Sequence, residues 1–302
     1  MNQEVYHIPA LLDETLEALD IKPGGIYVDA TFGGGGHSRA IVERLGADGR
    51  LYGFDQDEDA LGGAIDDPRL TMVYGNFRFL RNFLRYYGVD SVDGILADLG
   101  VSFHHFDEAD RGFSFRTDSR LDMRMNRHAQ ISAVEIVNDY PESRLADILH
   151  FYGEVGKARQ IAKAIVAARS KESITTVGQL LAVIDPFVDK RREKKDLACV
   201  FQALRIEVNG ELDALRQFLN QALDVLRPGG RLAIITYHSL EDRIVKNFMR
   251  AGNFEGRLEK DIYGRADTRL KPLGSKPVTA SEAETEANPR SRSAKLRTAI
   301  KL

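Results

Sequence analysis

The sequence contains a single cysteine, Cys199, and no tryptophan in 302 residues. A lone cysteine excludes an internal disulfide and a cysteine-rich zinc site, and it is typical of a reducing compartment. No apolar run approaches the ~20 residues that span a bilayer, and the acidic N-terminal segment has neither a basic leader nor a signal-peptide core. We therefore expect a soluble, cytoplasmic protein with no membrane partner.

The chain also lacks an excess of charge of either sign. Its 42 Lys and Arg residues oppose 45 Asp and Glu residues, which leaves a formal net charge of -3. No overall positive field indicates a nucleic-acid partner, so any such partner would have to bind a local basic patch. The 43% hydrophobic and 29% charged content is that of a globular protein, and the length predicts one large domain or two unequal ones.

Two kinds of hydrophobic pattern divide the chain. Between residues 25 and 100, short apolar runs alternate with amphipathic segments, which predicts a β-α-β-α-β succession and a parallel sheet. From about residue 131 to about 220 the periodicity is helical, with almost no strand signal. A Pro-Gly-Gly turn and a central strand follow at residues 228–236. We thus expect an α/β domain that is interrupted by a helical block.

Glycine or polar residues follow four of the predicted strands. A run of glycines at residues 33–36 separates the first strand from the first helix, where backbone N–H groups can approach a ligand closely. Asp55 ends the second strand about twenty residues later, the separation expected for an acid that binds a ribose diol. Asn76 and Phe77 follow the third strand, and Asp98 ends the fourth. Phe77 is either a purine contact or a core residue, and the glycine run alone is also compatible with a flexible turn.

The glycine run matches neither common nucleotide-binding motif. A dinucleotide fingerprint needs a third glycine or an alanine where this sequence has Ser38, and a triphosphate loop needs a Gly-Lys-Ser/Thr sequence that residues 36–39 lack. S-adenosylmethionine, which has no phosphates, fits one glycine loop with acids at neighbouring strand ends. An NAD-dependent oxidoreductase is the alternative enzyme class. His104 and His105 are adjacent and no cysteine or carboxylate cluster has metal-ligand spacing, so we expect no metal.

Six segments of the chain, taken in order, match one known family. At residues 98–102, 111–116, 121–125, 201–209, 238–246 and 288–297, and overall from His7 to near Arg297, the sequence resembles the RsmH (MraW) family. The resemblance implies a Rossmann-like methyltransferase sheet, doubly wound, with an inserted all-helical domain. It also implies an enzyme that uses S-adenosylmethionine to methylate the exocyclic N4 of a cytidine in the decoding region of bacterial small-subunit (16S) ribosomal RNA. The partner would be that RNA or the 30S particle, and the oligomeric state stays open, with a homodimer as one alternative.

The same resemblance implies a set of cofactor contacts and a division into domains. The cofactor contacts would be Gly35, Gly36, His37, Asp55, Phe77, Asp98 and His105. His105 stands where the family usually has a glutamine, and an imidazole can form one of the amide's hydrogen bonds but not the pair. The methyltransferase domain would comprise residues 1–107 and 208–302, and an inserted helical domain for RNA recognition would comprise residues 108–207.

Asp98 and His238 are the candidate catalytic residues. Cytosine N4 is a poor nucleophile, so we expect catalysis mainly from positioning, with Asp98 as an acceptor for the amine hydrogens. Asp98 has the alternative role of binding the cofactor, because the Pro-Pro-aromatic sequence that many amino-methyltransferases carry at this strand end is absent. His238 either reaches the base from the rim of the site or packs behind a helix N-cap formed by Ser239 with Asp242.

Three basic segments are candidate contacts for RNA. The first interleaves arginines with Phe113 and Phe115, an arrangement suited to phosphates and stacked unpaired bases. Its arginines are Arg111, Arg116, Arg120, Arg124 and Arg127. Internal ion pairs with neighbouring acids are the alternative for each of them. The other two segments lie at residues 190–195 and 290–297. A non-catalytic RNA-binding assembly factor is the third functional hypothesis.

Overall fold

The structure, a computed structural model, describes residues 9–63, 65–100, 111–258 and 268–302. The chain divides into two compact units, Met1–Gly100 with Leu212–Leu302, and Val101–Glu211. No helix among the described residues combines the length and the apolar character needed to cross a bilayer.

The first unit is built on a sheet of eight strands. These are β1 Ile26–Asp29, β2 Arg50–Asp55, β3 Leu70–Tyr74, β4 Val92–Asp98, β5 Leu226–Thr236, β6 Leu270–Pro272, β7 Val278–Thr279 and β8 Lys295–Lys301. Their order is β3-β2-β1-β4-β5-β8-β6, and β7 pairs with β8. Strands β1 to β5 are parallel to their neighbours, whereas β8 runs antiparallel to β5.

Helices connect and cover these strands or form the second unit. They are α1 Leu12–Leu19, α2 Gly36–Arg44, α3 Glu58–Gly62, α4 Leu80–Tyr86, α5 Ala133–Asp139, α6 Glu142–Phe151, α7 Ala158–Arg169, α8 Val177–Ile184, α9 Glu193–Asn209, α10 Glu211–Val225, α11 Ser239–Ala251 and α12 Glu282–Ala287. Short 3-10 turns lie at Phe77–Phe79, Asp185–Phe187 and Pro289–Ser293.

The central strands are buried on both faces, as the apolar runs predict. Leu96 and Ile235 belong to a core that also includes Leu16 and Ile41 from α1 and α2. The alternate residues Ile95 and Ala97 are equally buried, and because successive side chains point to opposite faces, they lie in a core on the other side of the sheet. The prediction of a doubly wound α/β sheet is confirmed.

The parallel register places the carboxyl ends of the strands at one edge. Asp29 pairs with Gly53 and Leu96, Asp55 pairs with Tyr74, and Asp98 pairs with Ile235. The acids that end three strands therefore share the edge of the sheet where open α/β proteins bind ligands.

The Pro-Gly-Gly segment differs from the expected turn. Leu226 pairs with Val92 and Arg231 pairs with Gly94, so residues 227–230 form a bulge within β5. Gly229 has a φ of 81°, a left-handed conformation that favours glycine. The segment shifts the register between β5 and β4 without ending the strand.

The second unit is helical and has its own core. Capping boxes begin α5 at Ser132 with Glu135 and α8 at Thr176 with Gln179, which explains why the sequence starts helices there. The apolar faces of α5 to α9 enclose residues such as Ile136, and the residues before α5 contribute Leu121 and Met123 to the same core. The predicted all-helical insertion is confirmed as part of the fold.

Candidate active site

The glycine loop closes tightly on one side and is open on the other. Gly33 and Gly35 have φ values of 52° and 73°, and the amide of Gly35 donates to the carbonyl oxygen of Phe32 at 2.8 Å. A Cβ on Gly35 would lie 2.7 Å from Cζ of Phe32, and one on Gly36 would lie 3.0 Å from the ring of Pro9. Among the described residues, no atom beyond its chain neighbours would lie within 4 Å of a Cβ on Gly34. The loop is thus a fixed backbone turn with room for a ligand beside Gly34.

Asp29 is a buried acid next to this loop, and it is not among the predicted site residues. Asp29 is 1% exposed and accepts a hydrogen bond from the Ser38 hydroxyl at 2.7 Å and one from the Thr31 amide at 3.1 Å. Burial raises the pKa of Asp29 to about 6. Ser38, the residue that breaks the dinucleotide fingerprint, therefore joins the first turn of α2 to the end of β1. The position of Asp29 in the sequence could have marked it as a site residue, since it ends a predicted strand as Asp55 and Asp98 do.

Asp55 connects the glycine loop to the end of β2. Its Oδ2 accepts the Gly33 amide at 2.8 Å and its Oδ1 accepts the Asp57 amide at 2.9 Å. These two bonds hold the carboxylate beside the glycine loop at the carboxyl end of β2. The geometry fits the role that spacing predicts for Asp55.

Asn76 and Phe77 form a short turn at the end of β3. The Asn76 side chain accepts the Arg78 amide at 3.0 Å and donates to Oε1 of Gln56 at 2.7 Å. The Phe77 ring meets the Phe218 ring edge to face, with centroids 5.1 Å apart, and is half-buried. One side of Phe77 thus belongs to the core, and its partial exposure is compatible with a purine contact as well.

Asp98 lies at the centre of a polar cluster at the end of β4. Its Oδ1 accepts the Tyr237 hydroxyl at 2.8 Å, and its amide donates to Oγ1 of Thr31 at 2.6 Å. The pKa of Asp98 is raised to about 7, chiefly by burial and in smaller part by the charges of Asp29 and Glu241, while the hydrogen bond from the Tyr237 hydroxyl acts in the opposite direction. About a quarter of the side chain, 23%, stays exposed. Asp98 is therefore a carboxylate that titrates near neutral pH and can still reach a ligand.

His37 is a neutral neighbour of Asp98. Its Nε2 lies 3.1 Å from the carbonyl oxygen of Ala10 and its Nδ1 lies 3.7 Å from Oδ2 of Asp98. Burial lowers the pKa of His37 to about 4, so the ring carries no charge at neutral pH. The bond to Ala10 assigns the proton to Nε2, which leaves Nδ1 as an acceptor facing the Asp98 carboxyl.

His238 forms the N-cap of α11, one residue before the cap that the sequence predicts. Its backbone is extended, and Nδ1 accepts the Glu241 amide at 3.4 Å, while Ser239 is already helical. Nε2 lies 3.1 Å from Oε1 of Glu241, whose Oε2 accepts the Tyr237 amide at 3.0 Å. Nδ1 of His238 therefore serves the helix cap, whereas Nε2 is buried beside Glu241 and forms no hydrogen bond with the described residues. The cap favours a structural role over reaching a base.

The interleaved arginines of the helical unit have different environments. Arg111 is buried and donates to the carbonyl oxygens of Arg124 and Met125 at 2.7 and 2.9 Å. Arg124 forms a two-bond ion pair with Asp122, at 2.8 and 2.7 Å. Arg124 thus forms the internal ion pair that the alternative predicts, and Arg111 is instead bound to backbone carbonyl oxygens within the fold. Others are exposed, namely Arg116, Arg120 and Arg127.

The structure brings most of the predicted site residues to one edge of the sheet. Gly35, Gly36, His37 and Asp98 lie around the end of β1 and β4, and Asp55 meets the same loop through Gly33. His105 lies outside the described residues. Tyr237, Thr31 and Asp29 complete the cluster, and only their place next to strand ends marks them in the sequence.

The fold and this site define a Rossmann-like methyltransferase. A family model described as the MraW methylase family matches residues 4–302, and the chain belongs to that family, with S-adenosylmethionine as its methyl donor. It is 56% identical over 299 residues to a Phocaeicola vulgatus protein named Ribosomal RNA small subunit methyltransferase H, covering 99% of this chain and 98% of that one. Proteins with the same name from Bacteroides thetaiotaomicron and Parabacteroides distasonis are 57% and 58% identical, over 98% of this chain and 97% and 98% of theirs.

Proposed function

We propose that this protein transfers a methyl group from S-adenosylmethionine to the exocyclic N4 of a cytidine in the decoding region of small-subunit (16S) ribosomal RNA. The names of its relatives support a ribosomal RNA substrate. The observation that carries the proposal is the position of Asp98, a partly exposed acceptor held by Tyr237 beside the glycine loop. Because the substrate is ribosomal RNA, we also propose that the protein acts in the cytoplasm.

The described residues fit the methyl donor. The turn at Gly35 and Gly36 would accept it closely, Asp55 would bind the ribose hydroxyls, and Phe77 would contact the adenine. The bound donor supplies a methyl group on a sulfonium, an electrophile that needs little activation. His37, neutral and anchored to Ala10, would shape the wall of the site beside Asp98.

Asp98 has two proposed roles, and one variant tests both. As an ionised carboxylate it would accept a hydrogen of the cytosine amine, which directs the nitrogen lone pair at the methyl group and stabilises the positive charge that develops there. As a cofactor ligand, Asp98 would instead determine the affinity of the protein for S-adenosylmethionine. Asp98→Asn should lower turnover on small-subunit particles by about a hundredfold if the first role holds. An unchanged turnover together with an unchanged affinity for S-adenosylhomocysteine would contradict both roles.

We propose that residues 108–207 form a domain that recognises RNA. Its exposed basic residues include Arg116, Arg120 and Arg127 and those in the segment 190–195, and the first unit adds Arg290 and Arg292. Contacts with phosphates release counterions, so RNA affinity should fall steeply as salt rises. A salt-independent affinity would contradict this footprint.

Mass mapping of small-subunit ribosomal RNA tests substrate and atom together. RNA from cells that lack this protein should miss one N4-methylated cytidine in the decoding region, and the wild-type gene should restore it. Restoration by Asp98→Asn to the same level would show that methylation does not need the Asp98 carboxylate, and an unaltered methylation map would contradict the proposal.

A further inference from the structure

One exposed surface of the first unit combines arginines with aromatic rings. It consists of Phe79, Arg81, Arg85, Tyr86 and Tyr87, on and next to α4, and we name it the arginine–aromatic surface. Phe79, Tyr86 and Tyr87 are 49%, 82% and 40% exposed, and Tyr86 has the highest exposure among the large hydrophobic side chains of the described residues. The helix is held from below by Leu80 and Leu84, both fully buried.

The charge of this segment is one-sided. Residues 78–89 contain three arginines and no aspartate or glutamate, in a chain whose net charge is -3. Arg81 and Arg85 are four apart on α4 and so lie on one helix face, an arrangement of like charges that destabilises a helix slightly. Arg81 has one partner at 3.4 Å, Asp224, and that pair is half exposed. Arg85 forms no ion pair with any described residue.

The rings of this surface do not cover one another. Tyr86 and Tyr87 meet edge to face, with centroids 5.2 Å apart and planes at 85°. Tyr87 also contacts Tyr52 of β2 at 5.6 Å. Tyr87 thus contacts a residue of the sheet, whereas Tyr86, at the end of the helix, is 82% exposed and leaves most of its ring open to solvent.

We propose that the arginine–aromatic surface binds unpaired nucleotides of the RNA substrate, with the arginines on phosphates and Tyr86 stacked on a base. The proposal rests on the proposed function, because it assigns part of the same RNA's path. Arginine beside an exposed ring is the combination that binds single-stranded RNA without base-specific contacts. A twofold contact between copies of this chain would set the arginines of each copy against those of the other. The charge therefore favours a polyanion over a second copy.

The surface also begins at the edge of the active site. The turn Phe77–Phe79 follows β3 at its carboxyl end, and the amide of Arg81 donates to Gln221 of α10 at 2.9 Å, which fixes the start of the helix. Phe77, a proposed cofactor contact, and Phe79 thus belong to one turn. RNA that leaves the site on this side would pass directly onto α4.

The test measures the affinity of the full-length protein for in vitro transcribed small-subunit ribosomal RNA over a series of salt concentrations. Each phosphate contact contributes about 0.7 to 0.9 to the slope of log affinity against log salt. We expect Arg85→Gln to reduce the slope by about that amount, and Arg81→Gln with Arg85→Gln to reduce it by about twice as much. We expect Tyr86→Ala to lower the affinity about tenfold at an unchanged slope, and Tyr86→Phe to restore it.

Arg44→Gln is the matched control. Arg44, like Arg85, is an exposed arginine in the last turn of a short helix, and it lies in α2, outside the surface. The Arg44→Gln variant should leave the slope of log affinity against log salt unchanged. Binding of S-adenosylhomocysteine by every variant shows that the fold is retained. Surface variants that bind RNA as the wild type does would overturn this proposal and leave the proposed function intact. Failure of the wild-type protein to bind the RNA would overturn both, and a change in self-association without a change in RNA affinity would make the surface an interface between copies.

Discussion

Two carboxylates, Asp29 and Asp98, end neighbouring strands and have different surroundings. Asp29 is enclosed beneath the glycine loop and bonded to Ser38 and Thr31. Asp98 is bonded to Tyr237 on one side and partly open on the other. Burial raises the pKa of both, to about 6 and about 7. At the residue scale, Asp29 therefore serves the loop, and Asp98 is the group placed to act on a ligand.

Tyr237 should set the pH at which Asp98 becomes active. Its hydroxyl stabilises the ionised carboxylate, so Tyr237→Phe should raise the pKa of Asp98 above its value of about 7. Methyl transfer that requires the ionised form should then have its rising midpoint at a higher pH, with turnover reduced near neutral pH and recovered in alkaline buffer. The measurement is turnover against pH under saturating substrates.

Tyr27→Phe is the control for that profile. It also removes a buried hydroxyl, one that accepts the Lys22 amide at 2.7 Å, at a position remote from Asp98 in sequence and strand register. The control should keep the wild-type midpoint. A Tyr237→Phe profile that falls uniformly at every pH would mean that the hydroxyl only stabilises the fold.

Gly35 should tolerate no side chain. Its φ of 73° disfavours alanine, and the added Cβ would lie 2.7 Å from the Phe32 ring. We expect Gly35→Ala to weaken S-adenosylhomocysteine binding by at least about tenfold, since displacement of the loop by about an ångström misplaces its backbone amides. Calorimetric titration measures this.

Gly88→Ala separates backbone strain from loop displacement. Gly88 has the same φ of 73°, and its Cβ would meet no atom within 4 Å. This variant should lose stability but bind S-adenosylhomocysteine as the wild type does. Equal affinities for Gly35→Ala and the wild type would contradict the role of the glycine turn.

At the element scale, the strands and their ends are what the sequence predicts well. Apolar runs and the residues that follow them place Asp55 and Asp98 at one edge, because parallel strands all end on the same side. The start of α11 is less well predicted. Ser239 is the more usual cap, yet His238 takes that position because its extended backbone and Nδ1 reach the Glu241 amide.

The cap at His238 can be separated from a catalytic role. Asparagine is a good N-cap, so His238→Asn should keep the fold stable, whereas His238→Ala should lower the free energy of unfolding by about 1 kcal/mol. Because Nδ1 is engaged in the cap and Nε2 is buried beside Glu241, we expect His238→Asn to retain turnover within about threefold. A stable His238→Asn protein that has lost turnover a hundredfold would show instead that the imidazole acts on the base. Urea unfolding and labelled methyl transfer measure the two quantities.

At the scale of the whole molecule, the sequence predicts the fold class, the helical insertion and the family. It does not predict which polar groups are tied up inside the fold. Arg111 and Arg124 are candidate RNA contacts in the sequence. In the structure, Arg111 donates to backbone carbonyl oxygens and Arg124 pairs with Asp122. Asp29 and Tyr237 stand next to strand ends in the sequence, but their hydrogen bonds to Ser38 and Asp98 are recognised only once the strands are assembled.

Asp29 should make the stability of the molecule depend on pH. Its pKa is about 6 when folded and about 3.9 in an unfolded chain, so the folded state binds more protons between these values. The free energy of unfolding contributed by Asp29 is therefore highest below about pH 4 and falls as pH rises to about 6. Asp29→Asn cannot ionise, so its stability relative to the wild type should rise over this window by on the order of 3 kcal/mol.

Ser38→Ala should enlarge the pH dependence of stability that Asp29→Asn removes. The Ser38 hydroxyl lowers the pKa of Asp29, so its removal should extend the decline in stability to higher pH. Urea unfolding of the three proteins across this pH range measures both effects. A stability difference between Asp29→Asn and the wild type that stays constant with pH would contradict the assignment.

The most direct test of the account is a crystal structure of the protein with S-adenosylhomocysteine. We predict that the ligand lies at the carboxyl ends of β1, β2 and β4, with its ribose on Asp55, its backbone contacts at Gly35 and Gly36, and its sulfur facing the Asp98 side of the site. A ligand bound elsewhere in the molecule, or a ribose that does not contact Asp55, would contradict the central claim.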